Sequence, residues 1–198
     1  MSRISPRLSL VSAMAVFMLS GCQLITQQPT LSSQQLESGQ QASPSNQFSL
    51  QGKIGVRTPE QSGSAYYTWV QNQADFNIQL NGILGMGKTI IEGQNGQVSL
   101  NSAKTGLISA ESPEELLEQA TGWVAPITAL VDWVQARPAT PQAKLQKDSS
   151  QRISQIVEEG WTVELSYQDQ AQLPNKLVLV QQLDADQQNR VTLLIQNR

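Results

Sequence analysis

A single thiol and a glycine-rich loop are the places where residue types and spacing in this chain could support chemistry. Cys22 is the only cysteine, and it follows Leu19-Ser20-Gly21. A thiol behind small residues is what a lipobox requires. The sulfur takes a diacylglyceryl group, and the small side chains let the backbone into the peptidase that cuts before the cysteine. The alternative is an ordinary secretory signal with a chance cysteine after it. The preceding residues support the lipobox: Arg3 and Arg7 give a positive start without acidic residues, and residues 8–19 are largely apolar. That run is well short of the roughly twenty residues a bilayer span needs, so residues 1–21 read as a removable signal. Cys22 is the expected lipidation site. With no second thiol, the mature chain forms no internal disulfide, and its domain must stand on its core. In bacteria with two membranes an Asp after the cysteine commonly holds a lipoprotein at the inner membrane. Gln23 lacks that signal, which favours the outer membrane.

The second place is Gly82-Ile83-Leu84-Gly85-Met86-Gly87-Lys88-Thr89, which fits the nucleotide phosphate-loop pattern letter for letter. A phosphate loop works because a helix begins at its Lys and aims free N–H groups and the helix dipole at the phosphates. Here Ile90-Ile91-Glu92-Gly93-Gln94-Asn95-Gly96 follows, and two β-branched residues before Gly and Asn-Gly do not carry a helix. Asp132, the best candidate for holding Mg²⁺, falls on a predicted helix rather than a strand end, and export takes the domain away from ATP. No nucleotide is expected. What remains is three large apolar side chains, Ile83, Leu84 and Met86, separated by glycines. Either the tip tucks into the core, or it stays exposed and dips into a membrane or partner, as exposed apolar patches do.

Other chemistry is excluded by composition. The chain has no histidine, which removes His-based triads, His general bases and the ordinary zinc site. No Gly-x-Ser-x-Gly elbow occurs, and the acidic residues are too scattered to assign as a pair. No catalytic residue, metal or cofactor is expected. Arg3 and Arg7 leave with the signal, so 13 basic residues become 11 against 16 acidic ones. That balance, with no long basic run, argues against nucleic acid.

The elements that must position these features follow from periodicity. Residues 22–46 are the lipidated start and a Gln-, Ser-, Thr- and Pro-rich tether that cannot bury enough apolar surface to order itself. At roughly 5–6 Å × √n it would span about two to three nanometres. Residues 47–198 form the domain. Phe48, Leu50, Ile54 and Val56 share parity; Ala65, Tyr67 and Trp69 alternate, as do Phe76, Ile78 and Leu80, then Val98 and Leu100. Turns are expected at Ser62-Gly63, residues 72–74 and Asn95-Gly96, giving an antiparallel meander. Ser112-Pro113-Glu114-Glu115 is a capping box for a helix closing at Gly122. A second helix starts at Pro126, with Ile127, Leu130, Val131 and Val134 at helical spacing. Residues 136–150 read as a long loop, after which Trp161, Val163, Leu165 and Tyr167 alternate, followed by runs at 176–183 and 191–195. One antiparallel sheet curving around two helices satisfies the pattern.

Several of these residues together resemble the LolB family of outer-membrane lipoproteins. They are Gly52-Lys53-Ile54-Gly55-Val56-Arg57, Tyr67-Thr68-Trp69-Val70-Gln71, Ile83-Leu84-Gly85-Met86-Gly87, Gly122-Trp123, Pro126-Ile127, Leu130, Trp133-Val134, Pro138, Glu159-Gly160-Trp161 and Leu173-Pro174. The resemblance runs from about Phe48 to Ile195. It implies an incomplete antiparallel β-barrel with helices as a lid over an apolar cavity. It implies a monomer that accepts acylated lipoproteins from the periplasmic carrier LolA and inserts them into the inner leaflet of the outer membrane. Leu84 matches the family's membrane-contacting leucine, with Ile83 and Met86 beside it. Trp69, Phe76, Trp123, Leu130 and Trp133 are the candidates to line the cavity, although each fits an ordinary core equally well. The energetics agree with a carrier. Each buried CH₂ contributes about 0.8 kcal/mol, so exposing one long acyl chain costs on the order of 10 kcal/mol. The rival reading is a structural or sensory envelope lipoprotein on a related half-barrel.

Overall fold

The computed structural model describes residues 46–82 and 87–198; Cys22, Gln23, Ile83, Leu84 and Met86 lie outside the described residues. Within the described residues six strands come first: β1 (Gln47–Arg57), β2 (Ser62–Asn72), β3 (Asp75–Asn81), β4 (Lys88–Gln94), β5 (Gln97–Ser102) and β6 (Gly106–Ala110). Helices α1 (Pro113–Thr121) and α2 (Ile127–Trp133) follow, then β7 (Lys144–Lys147), β8 (Ile153–Glu158), β9 (Trp161–Ser166), β10 (Lys176–Gln182) and β11 (Gln188–Asn197). All the strands form one sheet in the order β6-β5-β4-β3-β2-β1-β11-β10-β9-β8-β7. Every pairing is antiparallel. Edge strands β6 and β7 do not pair with each other, so the sheet is an open, incomplete barrel, as expected.

The first and last strands meet at the centre of this sheet, and one glycine permits it. The β1–β11 register shifts between Gln51 and Gly52. A Cβ on Gly52 would stand 1.8 Å from the Leu194 carbonyl oxygen and 3.1 Å from the Tyr67 ring. Only a residue without a side chain lets the two backbones approach so closely. Tyr67 then lies over the gap and donates its hydroxyl to the same Leu194 oxygen at 3.2 Å.

Capping sets the helices. Ser112 Oγ accepts from the Glu115 amide at 3.2 Å, and Pro113 opens α1. The Glu115 carboxylate accepts from the Glu111 amide at 3.0 Å, one residue further back than in a strict capping box. Leu116 packs on Val98 and Leu100 of β5, which seats α1 on that side of the sheet.

Three local expectations are corrected. The β1–β2 turn is not at Ser62-Gly63, which pair with Arg57 and Val56 inside the sheet. It lies at residues 58–61, where Thr58 Oγ1 accepts from the amides of Glu60 and Gln61 and the Thr58 amide donates to the Gln61 carbonyl. Residues 136–150 are not all loop, because β7 occupies Lys144–Lys147. All four of its residues are exposed, so it buries no apolar face that alternation could register. Strands β6 and β8 add further pairings, β8 with a fully buried Ile156.

Candidate functional site

The interior is packed on one side and hollow on the other. Beneath β8 to β11, Ile156, Val163 and Leu177 close on Trp133 and Val134 with no exposed surface. Toward β3, β4 and α1, the inward-facing Ile54, Val56, Ile78, Leu80 and Ile91 are only part-buried, because they border empty space. That space is a cavity of about 140 Å³ presenting only apolar surface. Its floor is Ile54, Val56, Trp69, Ile78, Leu80 and Ile91 of the sheet; its roof is Leu117, Trp123, Ile127 and Leu130 of the helices and their linker.

Two further spaces flank it. A pocket of about 90 Å³ shares Val56, Leu80, Ile91, Leu117 and Trp123 as walls and adds Gln61, Thr89, Ser102, Thr105 and Thr121. It sits at the end of the sheet where Leu80 pairs with Thr89 and Asn81 with Lys88, immediately before the β3–β4 hairpin tip. At the other end, a wider cleft of about 570 Å³ is lined by Trp69, Phe76, Ile78, Ile127 and Val131 together with Gln71, Gln94, Gln97 and Asp132.

The five cavity candidates therefore separate. Trp69, Trp123 and Leu130 line the apolar cavity, whereas Phe76 lines the wider cleft, its ring packed where Gly93 leaves room. Trp133 lines none of these three spaces. It is fully buried on the packed side, and its indole N–H donates to Glu158 Oε1 at 2.5 Å. A tryptophan whose polar edge is satisfied inside the core becomes a strut rather than a cavity wall. Leu117, Ile54, Val56, Leu80 and Ile91 are wall residues beyond the five candidates, although alternation already puts Ile54, Val56 and Leu80 on one face. Their inward parity is the same as that of packed core residues.

The roof is held unevenly. Glu158, although buried, is a carboxylate with four donors: Trp133 Nε1, the Ala139 amide at 2.9 Å, the Thr140 amide at 2.7 Å and Thr140 Oγ1 at 2.8 Å. Burial alone would raise its pKa, but these donors together outweigh burial and hold it below the ordinary glutamate value. Beside it, Arg137 pairs with Asp132 at 2.8 Å and donates to Asn46 Oδ1 at 2.6 Å. Arg198 donates to the carbonyls of Val134 and Pro174, both at 2.7 Å, which satisfies the C-terminal end of α2. All of these bonds gather at the C-terminal end of α2. At its N-terminal end α2 is tied to α1 instead: Glu114 accepts from the amide and hydroxyl of Thr128 at 2.7 and 3.1 Å. The two helices are thus joined to each other, bolted at one end and held elsewhere over the cavity by apolar contact and by one hydrogen bond from Gln61 Nε2 to the Thr121 carbonyl at 3.3 Å.

The phosphate-loop reading fails on geometry as well as on sequence. Lys88–Gln94 is strand β4, paired on both sides, so no helix N-terminus follows the glycines. Gly82 donates to the Gly87 carbonyl at 3.2 Å and closes the hairpin on itself. Asp132 is occupied by Arg137. Among the described residues no helix is long and apolar enough to cross a membrane.

Comparison with known proteins gives one consistent result. The family model described as "Outer membrane lipoprotein LolB" matches residues 46–197. An outer-membrane lipoprotein LolB of Pseudomonas aeruginosa is 36% identical over 196 residues, covering 94% of this chain and 93% of its own length. One from Pseudomonas paraeruginosa is 37% identical over 160 residues, 78% of each chain.

Proposed function

The chain belongs to the outer membrane lipoprotein LolB family, and from that premise we propose that it accepts acylated lipoproteins from the periplasmic carrier LolA and inserts them into the inner leaflet of the outer membrane. The observation that carries the reading is the roofed, wholly apolar cavity, built where the inward parity of the sheet would otherwise make core. An acyl chain displaces no polar contact there. Transfer is by binding, without a covalent step, and its direction comes from rising affinity along the route from carrier to this protein to bilayer.

Size decides what the roof must do. A dry cavity of about 150 Å³ holds a molecule the size of benzene. Taking each methylene as near the roughly 30 Å³ of a water molecule, a sixteen-carbon chain needs on the order of 400–500 Å³. The cavity of about 140 Å³ is too small for such a chain, and on this reading it is the resting, closed state. Loading widens it roughly threefold. The joined helices supply the motion by turning about the bolted end near Trp133, which breaks apolar contacts under Leu117, Trp123 and Ile127 and the Gln61–Thr121 hydrogen bond, and leaves the Glu158 bonds intact. Cys22 holds the domain at the membrane, and Leu84, with Ile83 and Met86, enters the bilayer when a client is released.

Leu117→Trp tests the cavity. The larger ring fills space shared by two pockets, so the variant should fold with equal or greater stability. It should also lose acceptance of an acylated client from loaded LolA. Full acceptance by a folded Leu117→Trp protein would show that clients are held elsewhere.

A further inference from the structure

The small pocket beside the β3–β4 hairpin contains a polar group that its surroundings leave unused. Thr89 points inward with Ile91 on β4, is 3% exposed and lines the pocket. Among the described residues its Oγ1 is the buried side-chain oxygen or nitrogen with no hydrogen-bond partner. Its polar neighbours are occupied. Ser102 Oγ and Thr105 Oγ1 bond each other at 2.8 Å, Thr121 Oγ1 donates to the Leu117 carbonyl at 2.7 Å, and Gln61 Nε2 donates to the Thr121 carbonyl at 3.3 Å. A buried hydroxyl without a partner costs stability, and a valine of the same shape would remove that cost. The site therefore has a free hydroxyl in a pocket whose remaining polar groups are spent on one another, and the larger apolar cavity adjoins it across shared walls at Val56, Leu80, Ile91, Leu117 and Trp123.

We infer that the Thr89 hydroxyl is a binding site for the carbonyl end of an acyl chain, an ester or amide carbonyl that accepts its hydrogen bond. The hydrocarbon tail extends into the apolar cavity. This deepens the proposed function and rests on it: the chain is held tail-inward with its polar end beside the β3–β4 hairpin. The ligand class is a long-chain acyl ester or amide, distinguished from a bare hydrocarbon by one hydrogen bond. A threonine meets this need because it offers a methyl to a space walled by Leu80 and Ile91 as well as a hydroxyl to the carbonyl.

The test uses the mature chain carrying Cys22→Ala, so that no attached lipid competes, with Thr89→Val and Thr89→Ser variants. The probes are methyl decanoate and dodecane, matched in chain length, measured by displacement of an apolar fluorescent dye. The unmodified Thr89 protein should bind both and prefer the ester. Thr89→Val should weaken the ester by roughly 3- to 10-fold, the worth of one hydrogen bond, and leave dodecane unchanged. Thr89→Ser should keep the preference. Thr89→Val should also melt higher by roughly 2–4 °C, having lost its unpaired group. Equal ester affinity in the Thr and Val proteins, with both probes bound, overturns the Thr89 assignment alone. Failure of the Thr89 protein to bind either probe overturns the cavity reading beneath it.

Discussion

Removing the Glu158 carboxylate should unfasten the bolted end of the roof. In Glu158→Ala the Trp133 indole N–H loses its acceptor inside the core, and the amides of Ala139 and Thr140 lose theirs at its edge. Hydrogen bonds to a charged group contribute about 1.5–3 kcal/mol each, though four donors on one carboxylate do not add. Breaking such a buried charged network by deleting one partner costs about 3–5 kcal/mol. For a domain of this size that is a fall in Tm of roughly 6–20 °C. Glu158→Gln keeps one acceptor but turns an NH₂ toward existing donors, so about half that loss is expected. Acidity gives the sharper test. The folded-state pKa of Glu158 lies below the ordinary value of 4.5, so the stability it contributes is complete above that value. It is lost as pH falls through the lowered folded pKa. The Tm gap between the parent and Glu158→Gln should therefore be widest near neutral pH and narrow as pH falls below 4.5, followed by circular dichroism. A gap that stays constant across that range, or one within error at neutral pH, would refute the assignment of Glu158 as an ionised anchor.

Three further outcomes are expected. Gly52→Ala would drive a Cβ to 1.8 Å from the Leu194 carbonyl oxygen, so β1 and β11 must separate. A loss of roughly 3 kcal/mol or more, in the range of overpacked sites, should appear as a cold-shifted thermal melt, and an unshifted melt would mean the strands can re-register. Cys22→Ala should yield a folded protein that stays in the soluble periplasmic fraction and still takes clients from LolA, as followed by fractionation and client transfer. Aggregation or lost acceptance would make lipid part of the fold. Leu84→Glu should leave acceptance and Tm nearly unchanged but block release to liposomes, because a charge entering the bilayer costs a few kcal/mol. Normal transfer, or a melt lowered by many degrees, would remove the membrane role from Leu84.

Periodicity carried the fold wherever an element buries one face. Phe48 to Val56, Ala65 to Trp69 and Trp161 to Leu165 alternate because one side meets the interior, and the Ser112 cap with Pro113 locates α1 to the residue. It could not locate β7, whose four side chains all face water and whose existence rests on backbone pairing with β8. The hollow was the harder part. Leu80, bordering the cavity, and Leu165, in packed core, are both leucines at inward positions of alternating strands. Whether an inward side chain meets a neighbour or a void depends on how far the sheet curls and where the helices sit. Trp133 meets the same limit: its place on the packed side turns on a carboxylate 25 residues away that only the fold brings to it. Thr89 left a trace in the sequence, a hydroxyl two residues before Ile91 and so on the same face of β4, but its lack of a partner is a fact of three dimensions.

The unpaired edges of β6 and β7 have a mechanical consequence. In a closed barrel, strand number and shear fix the radius, and any swelling must break ladder hydrogen bonds. Here, among the described residues, the eleven strands end in two margins that do not pair, so the girth of the sheet is not locked by its own bonding. The wall can uncurl by small changes of twist spread across ten strand pairings, each keeping its hydrogen bonds, while the gap between the margins widens. If the proposed function holds, a vessel that must be empty at one moment and take a chain three times its resting volume at the next is better made as a clasp than as a pipe.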